Sequence, residues 1–464
     1  MKNITLTICA AVVLLFTAAN TKAQTAFKVP AYEKVKLANG LTVYLMEQHE
    51  IPLISVSAIV PAGAIYDGDK HGLASITAAG LQYGTKSYTK AQLEEQLDFV
   101  GADLNTYATK EYAALSAKFA AKDVDKVLPI LNEVLTAPAF PATEFEKEQK
   151  RVLARLDQAK QSPRQVINAY WDHFIYGNHV YGNSTSGSPA TVGKLTAADL
   201  QAFYKANYTP AGSAIAVVGD FKAAAMKQKL TKLFGAWKNT GTAKTVSTAQ
   251  DIPAPTAAKV LLVNKDDARE TTFLIGGLGI KRDNPDFVAI EVVNTLFGAR
   301  FTSMLNDELR VNTGLTYGAR SAFTPFKNSG TFAISTFTAT KTTEAAIDKA
   351  LEVLDKLHKR GLNDTSLASA KNYVKGLFPP KYETSGQLAD LLTQMYWYGF
   401  TESFINDFQS NVDKLDLAKS KEIITKYFPK DKLQFILVGK AADIKKIAEK
   451  YGPVTEKQIK DDGF

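Results

Sequence analysis

The chain has 464 residues, 45% of them apolar, 22% charged and 10% aromatic, which excludes a disordered or collagen-like polymer because apolar surface is ample for burial. Lys plus Arg exceed Asp plus Glu by 55 to 47, a net charge of +8. No run of basic residues concentrates that excess, so a nucleic-acid-binding surface has little support. Cys9 is the only cysteine, which excludes disulfides and thiolate zinc sites within one chain.

In chain order, Lys2 precedes an apolar run from Ile4 to Ala19, and Thr21-Lys22-Ala23 places small residues where a signal peptidase reads them. Residues 1–23 are therefore expected to be a secretory signal, since the run is short for a span of about 20 apolar residues. Cleavage after Ala23 would remove Cys9, Lys2 and Lys22, leaving a cysteine-free chain of net charge +6. No later stretch reads as long and apolar enough to cross a bilayer. The expected product is a soluble exported protein, periplasmic if the source is a Gram-negative bacterium.

Val35–Leu37 and Leu41–Leu45 flank Asn39-Gly40, a two-residue hairpin signal. Ile54–Val60 reads as a further strand. Thr89 and Gln92 form a capping box ahead of Leu93, Leu97 and Val100, with Gly101 as the stop. Val124, Val127, Leu128, Leu131 and Leu135 line a second helix. From Trp237 to Lys259 the chain is rich in Thr, Ala, Gly and Pro and reads as a linker between halves spanning 24–236 and 260–464. The later half carries strands at Val260–Val263 and Phe273–Gly277 and a helix from Pro285 to Phe297. Both halves close alike: Tyr208-Thr209-Pro210 leads into a strand ending at Gly219, and Tyr427-Phe428-Pro429 leads into one ending at Gly439, 220 residues on. A duplicated α+β unit follows, with mixed or antiparallel sheets and packed helices rather than a doubly wound sheet.

The histidines are His49, His71, His173, His179 and His358, and no pair has ligand spacing on a helix. His173 and His179 lie in a Tyr- and Gly-rich loop, which suits a structural role. There is no Gly-x-Ser-x-Gly elbow, and a thiol nucleophile is excluded.

Several motifs in order resemble the pitrilysin/insulinase and mitochondrial-processing-peptidase family of zinc metallopeptidases. They are Gly72-Leu73-Ala74 through Gly84-Thr85, Gly101 to Asn105, Tyr176 to Gly182, Gly187-Ser188-Pro189 and Val217 to Asp220. Phe297-Gly298, Leu309-Arg310 and Gly314 to Tyr317 continue the likeness in the second half. The resemblance implies two halves closed as a clamshell. Active members carry a helical His-x-x-Glu-His in which two His bind zinc and the Glu activates water. Here those positions hold Ser75, Ala78 and Ala79, and the distal Glu position falls at Ala154 or Arg155. All three ligands and the base are absent, so no metal cofactor is expected in this chain.

The resemblance is to the zinc-free subunit of two-subunit members, whose zinc-bearing homologous partner supplies the metal. It implies that Arg310 and Tyr317 act in trans on a scissile carbonyl as hydrogen-bond donors. It also implies that Asn105 borders substrate, an unfolded peptide added to a sheet edge. Zinc-free members that serve as core subunits of respiratory complexes offer the alternative: a structural or peptide-binding protein with no proteolytic role.

Overall fold

The computed structural model describes residues 27–238 and 252–461, so the expected signal at 1–23 and most of the expected linker lie outside the described residues. The first half runs β1 (Glu33–Lys36), β2 (Thr42–Glu47), β3 (Leu53–Val60), α1 (Leu73–Gly80), α2 (Lys90–Phe99), β4 (Asp103–Ala108) and β5 (Ala113–Ala120). It continues with α3 (Val124–Thr136), α4 (Ala142–Ala159), α5 (Pro163–Tyr176), α6 (Ala197–Asn207), β6 (Ala214–Gly219) and α7 (Ala223–Phe234). The second half runs β7 (Lys259–Asn264), β8 (Glu270–Leu278), α8 (Phe287–Asn294), β9 (Arg320–Pro325) and β10 (Gly330–Ala339). After these come α9 (Thr343–Arg360), α10 (Asp364–Leu377), α11 (Ser385–Tyr398), α12 (Leu417–Tyr427), β11 (Gln434–Gly439), α13 (Ala441–Ala448) and β12 (Val454–Gln458).

Each half forms one six-stranded mixed sheet, ordered β1-β2-β6-β3-β5-β4 and β12-β7-β11-β8-β10-β9. The orders correspond strand for strand, including the parallel pairs β2·β6 and β7·β11. They differ at one edge, where β1 runs antiparallel to β2 but β12 runs parallel to β7. This is the α+β duplication that the strand and helix pattern implied.

Local chemistry sets the elements. The Thr89–Gln92 capping box opens α2, and Gly101, at φ +61°, turns the chain beyond it into β4. The first hairpin departs from expectation. Gly40 N–H donates to Leu37 O at 2.9 Å and Gly40 sits at φ +93°, giving a three-residue loop, Ala38–Gly40, in place of a two-residue turn. Asn39 is held otherwise: its Nδ2 donates to Phe234 O at 2.8 Å and Trp237 O at 3.0 Å, tying the hairpin to the end of α7. Trp237 itself is buried in the first half's core, and Lys259 already opens β7.

The expected helix from Pro285 to Phe297 is α-helical only over α8 and then widens into a π-helical turn, Thr295–Ala299. One further correction concerns apolar length. Phe287–Asn312 is long and apolar enough to pass a membrane-span criterion. Its α and π turns break at residues 300–303, and most of its side chains are buried in the second half's core, the arrangement of a core element.

Each sheet is covered on both faces, and one cover comes from the other half. The first sheet turns Val43, Leu45, Ile215 and Val217 toward its own helices and Tyr44, Met46, Ala216 and Val218 toward α11 of the second half. The second sheet turns Leu261, Val263, Ile436 and Val438 toward Val166, Ile167, Tyr170 and Trp171 of α5, which belongs to the first half. Side-chain alternation along the strands produces both faces. Because Trp171 is only 3% exposed at this crossing, Trp171→Ala should destabilise the whole chain by about 3–5 kcal/mol. Urea unfolding should show one shifted transition; a first-half signal that stays put while the second half melts early would contradict the reciprocal packing.

Candidate functional site

The helix that would carry the metal motif is intact. In α1, Leu73, Ala74, Ile76 and Ala78 are buried against the sheet, while Ser75 and Ala79 are partly exposed. Its N-terminus is fixed by Asp67, 4% exposed, whose carboxylate accepts from Gly72 N–H at 2.9 Å and Ala74 N–H at 2.8 Å. Burial pushes the Asp67 carboxyl up to about 8, against the pull of those amides. Ser75 Oγ donates to Thr185 O at 2.7 Å. On α4, Ala154 and Arg155 are exposed, and Arg155 Nη2 donates to Glu148 Oε1 at 2.8 Å. A committed hydroxyl, two methyl groups and, at the distal position, a methyl or a paired guanidinium do not fit a zinc ion. Among the described residues no group of three or more His, Cys, Asp or Glu could hold a metal.

His173, expected in a loop, lies in the last turn of α5, and three other histidines have local partners. His49 lies 2.7 Å from Asp220 and 3.0 Å from Glu47 at the surface. His179 Nδ1 accepts from Tyr181 N–H at 3.1 Å, and His358 Nε2 lies 2.9 Å from Phe428 O.

Asn105 is exposed on β4, the edge strand of the first sheet. Its neighbour Thr106 is buried, with its Oγ1 accepting from Gln82 Nε2 at 2.7 Å just beyond α1. Alternation therefore turns Asn105 to the opposite face from α1. There it lines a cavity of about 820 Å³ between the open face of β5 and β4 and the N-terminus of α11. Ser55 and Ser385 hydrogen-bond across its base at 2.8 Å. Glu50, Asp103, Glu383 and Asp390 face it against Lys118, so the cavity is acidic in an otherwise basic chain.

Arg310 and Tyr317 come together in the second half. Arg310 lies in a second π-helical turn, Asp307–Asn312, and such turns recur at functional positions. Its Cζ is 4.6 Å from the Tyr317 ring centroid and 4.8 Å from that of Phe301. Tyr317 is 75% exposed, which excludes a core-packing role for its ring. The backbone beneath is fixed. Thr336 Oγ1 donates to Gly318 O at 2.9 Å and Thr338 Oγ1 to Leu315 O at 2.7 Å. Gly314, at φ +61°, supplies the left-handed turn between the two residues.

Sequence reasoning missed two members of this group. Phe301 covers Arg310, and buried Asn306 joins the loops by donating to Phe301 O at 2.7 Å and accepting from Ala319 N–H at 3.3 Å. Only the spacing of Asn306 on the Leu305–Leu309 helical face hinted at burial.

Comparison with known proteins follows this geometry. The profile described as insulinase, peptidase family M16, matches residues 42–188, and that described as the peptidase M16 inactive domain matches residues 194–374. The chain belongs to peptidase family M16. It is 22% identical to an uncharacterised zinc protease of Bacillus subtilis over 73% of this chain and 81% of that one. It is likewise 22% identical to a probable mitochondrial-processing peptidase subunit beta of Arabidopsis thaliana, over 89% and 80%. The crystal structure of a peptidase M16 inactive domain from Pseudomonas fluorescens superposes with a TM-score of 0.81 at 26% identity, covering 88% of this chain and 98% of that one. A Helicobacter pylori protease shares the fold at TM-score 0.82 and 21% identity, over 89% and 100%. The insulinase match spans α1, the helix that carries Ser75, Ala78 and Ala79.

The residues at the metal positions make a direct prediction. Elemental analysis of the purified chain after exhaustive dialysis against zinc-containing and then zinc-free buffer should find zinc far below one per chain. One tightly retained zinc would overturn this account of α1.

Proposed function

We propose that this chain is the non-catalytic subunit of an exported, zinc-dependent M16 endopeptidase, working with a homologous subunit that carries the metal. The observation that carries this reading is the contrast between two positions of one fold. The α1 helix is retained with Ser75, Ala78 and Ala79 at the metal positions, while Arg310 and Tyr317 stand together and exposed on a fixed backbone. The likeness to a processing-peptidase subunit supports a multi-subunit setting. The signal-like segment at 1–23 supports export, to the periplasm in a Gram-negative cell.

In this proposal an unfolded peptide adds as a strand to the free edge at β4, beside Asn105, so that backbone hydrogen bonds hold it and sequence is read loosely. Arg310 and Tyr317 reach the scissile carbonyl bound at the partner. The guanidinium and the phenol donate hydrogen bonds that strengthen as the carbonyl oxygen becomes an oxyanion. Attack on the carbonyl belongs to the partner's zinc site. Likeness to the bovine cytochrome b-c1 complex subunit 1, at 26% identity over 60% of this chain and 58% of that one, supports a second reading as a structural or peptide-binding subunit.

Reconstitution separates the two readings. Alone, the chain should leave unfolded peptides intact, and with the zinc-bearing homologue encoded in the same genome it should support chelator-sensitive cleavage. In that pair Tyr317→Phe should lower kcat by about 100- to 1000-fold with assembly unchanged by gel filtration. Unchanged kcat in Tyr317→Phe and in Arg310→Ala would leave the chain as a scaffold.

A further inference from the structure

Five of the large apolar side chains most exposed in the described residues lie around two arginines of the second half. Phe301 and Val311 are each 65% exposed and Tyr317 is 75% exposed, while Tyr373 and Leu377 stand one turn apart on α10 at 42% and 47%. Arg310 is flanked by the Phe301 and Tyr317 rings, and Arg300 lies 5.8 Å from the Tyr373 ring. Arg300 and Phe301 are consecutive, which brings the two arginine–ring groups close together. Exposed apolar groups in such a cluster mark an interaction surface, and Tyr, Phe and Arg are the residue types that dominate binding energy.

The charge of this surface is specific. Arg300 donates only to Thr302 O at 3.1 Å and Ser369 Oγ at 3.0 Å. Among the described residues Arg310 has no ion pair and no side-chain hydrogen bond, only its two ring contacts. Asp307, on the same turn, pairs with neither arginine, and Glu308 is committed to Lys356 at 2.9 Å. On α10, Lys375 is neutralised by Asp413 at 2.7 Å, and Lys371 donates to Asp413 O at 3.0 Å. Two isolated guanidiniums among apolar rings therefore face outward, with no continuous basic tract of the kind that follows a polyanion backbone.

The Arg310 guanidinium has no acceptor among the described residues, so its fork of N–H groups is free. That fork matches a carboxylate, which accepts two parallel hydrogen bonds, better than a single amide carbonyl. We propose that this surface binds an acidic peptide segment, with a carboxylate gripped by Arg310 between Phe301 and Tyr317 and neighbouring apolar side chains laid on Val311, Tyr373 and Leu377. The proposal shares Arg310 and Tyr317 with the function above and adds its ligand chemistry, but binding requires no partner subunit.

The test uses the purified chain alone and fluorescence anisotropy with three labelled peptides of one apolar sequence. One carries an internal Glu and a C-terminal amide, one an internal Gln and a free C-terminal carboxylate, and one an internal Gln and an amide. Binding of the first alone assigns a side-chain carboxylate, binding of the second alone assigns a chain terminus, and binding of both supports the shared chemistry. Arg310→Ala and Phe301→Ala should each weaken that binding by about tenfold or more. Arg310→Lys, which keeps the charge and loses the fork, should not restore it. Arg164→Ala, at a surface arginine already paired with Glu270, should change nothing. Equal binding of all three peptides, no carboxylate-dependent binding, or tighter Arg310-dependent binding of a single-stranded oligonucleotide or an anionic vesicle would each overturn the proposal. Failure of peptide cleavage in the reconstituted pair would leave this binding result standing, and the converse also holds.

Discussion

The architecture depends on an exchange of helices. A sheet with two apolar faces must have both covered, and neither half of this chain supplies both covers. The first half contributes α5 to the second sheet, and the second half contributes α11 to the first. The crossings differ in chemistry. The α5 contact is aromatic and aliphatic, led by Tyr170 and Trp171. The α11 contact adds small and polar residues to Tyr44, Met46 and Val218, with Ala214 and Ala216 on the sheet and hydroxyl pairs Ser57–Thr393 at 3.1 Å and Ser55–Ser385 at 2.8 Å. A third tie closes the junction. Buried Glu111 accepts from Tyr181 O–H at 2.6 Å and from Lys327 N–H at 2.9 Å, and the Tyr181 ring stacks on Phe326 at 4.9 Å. Burial raises the Glu111 carboxyl, opposed by those donors.

This packing explains how the α1 helix persists without metal ligands. A helix held chiefly by an ion would lose its reason to fold once the ligands were gone. Here α1 is held by its apolar face, by Asp67 at its N-terminus and by the Ser75 hydroxyl on Thr185. Ala78, fully buried, contributes to the same core. Ala78 packs in the core and Ser75 is tied to the Thr185 backbone, so this helix is held by contacts that need no ion.

Much of this was legible in the sequence. The Thr89–Gln92 box, the Val124–Leu135 face and the paired strand-to-glycine endings are local patterns that pointed directly to α2, α3 and the duplication. Legibility failed where tertiary bonds overrode local preference. Asn39 does not take the turn its Asn-Gly dipeptide suggests because its amide is recruited by Phe234 and Trp237, about 200 residues away. The apolar length of Phe287–Asn312 was underread, because its α and π turns form one long buried element that sequence reading ended at Phe297. The roles of Phe301 and Asn306 were invisible because they depend on two loops meeting in space, which no periodicity encodes.

In the second-half loops backbone and side chains follow opposite rules. A residue placed for stability buries its apolar surface and satisfies its polar atoms. Around Tyr317 the backbone follows that rule, anchored by Asn306, Thr336 and Thr338. The side chains do the reverse, leaving the Phe301 and Tyr317 rings in water and the Arg310 guanidinium without an anion. Leaving such rings exposed forgoes about 1.5–3 kcal/mol each of burial energy. The contacts among the three recover only part of that, about 0.5–1 kcal/mol for each exposed cation–π pair. Fixed backbone beneath unsatisfied side chains is the arrangement that lowers the entropic cost of gripping something else. The same donors suit an oxyanion formed during cleavage and a carboxylate already present in a ligand, because both present negative oxygen in the plane of the guanidinium. The two proposed roles therefore make one demand on Arg310 and Tyr317, a fixed set of donors aimed at negative oxygen.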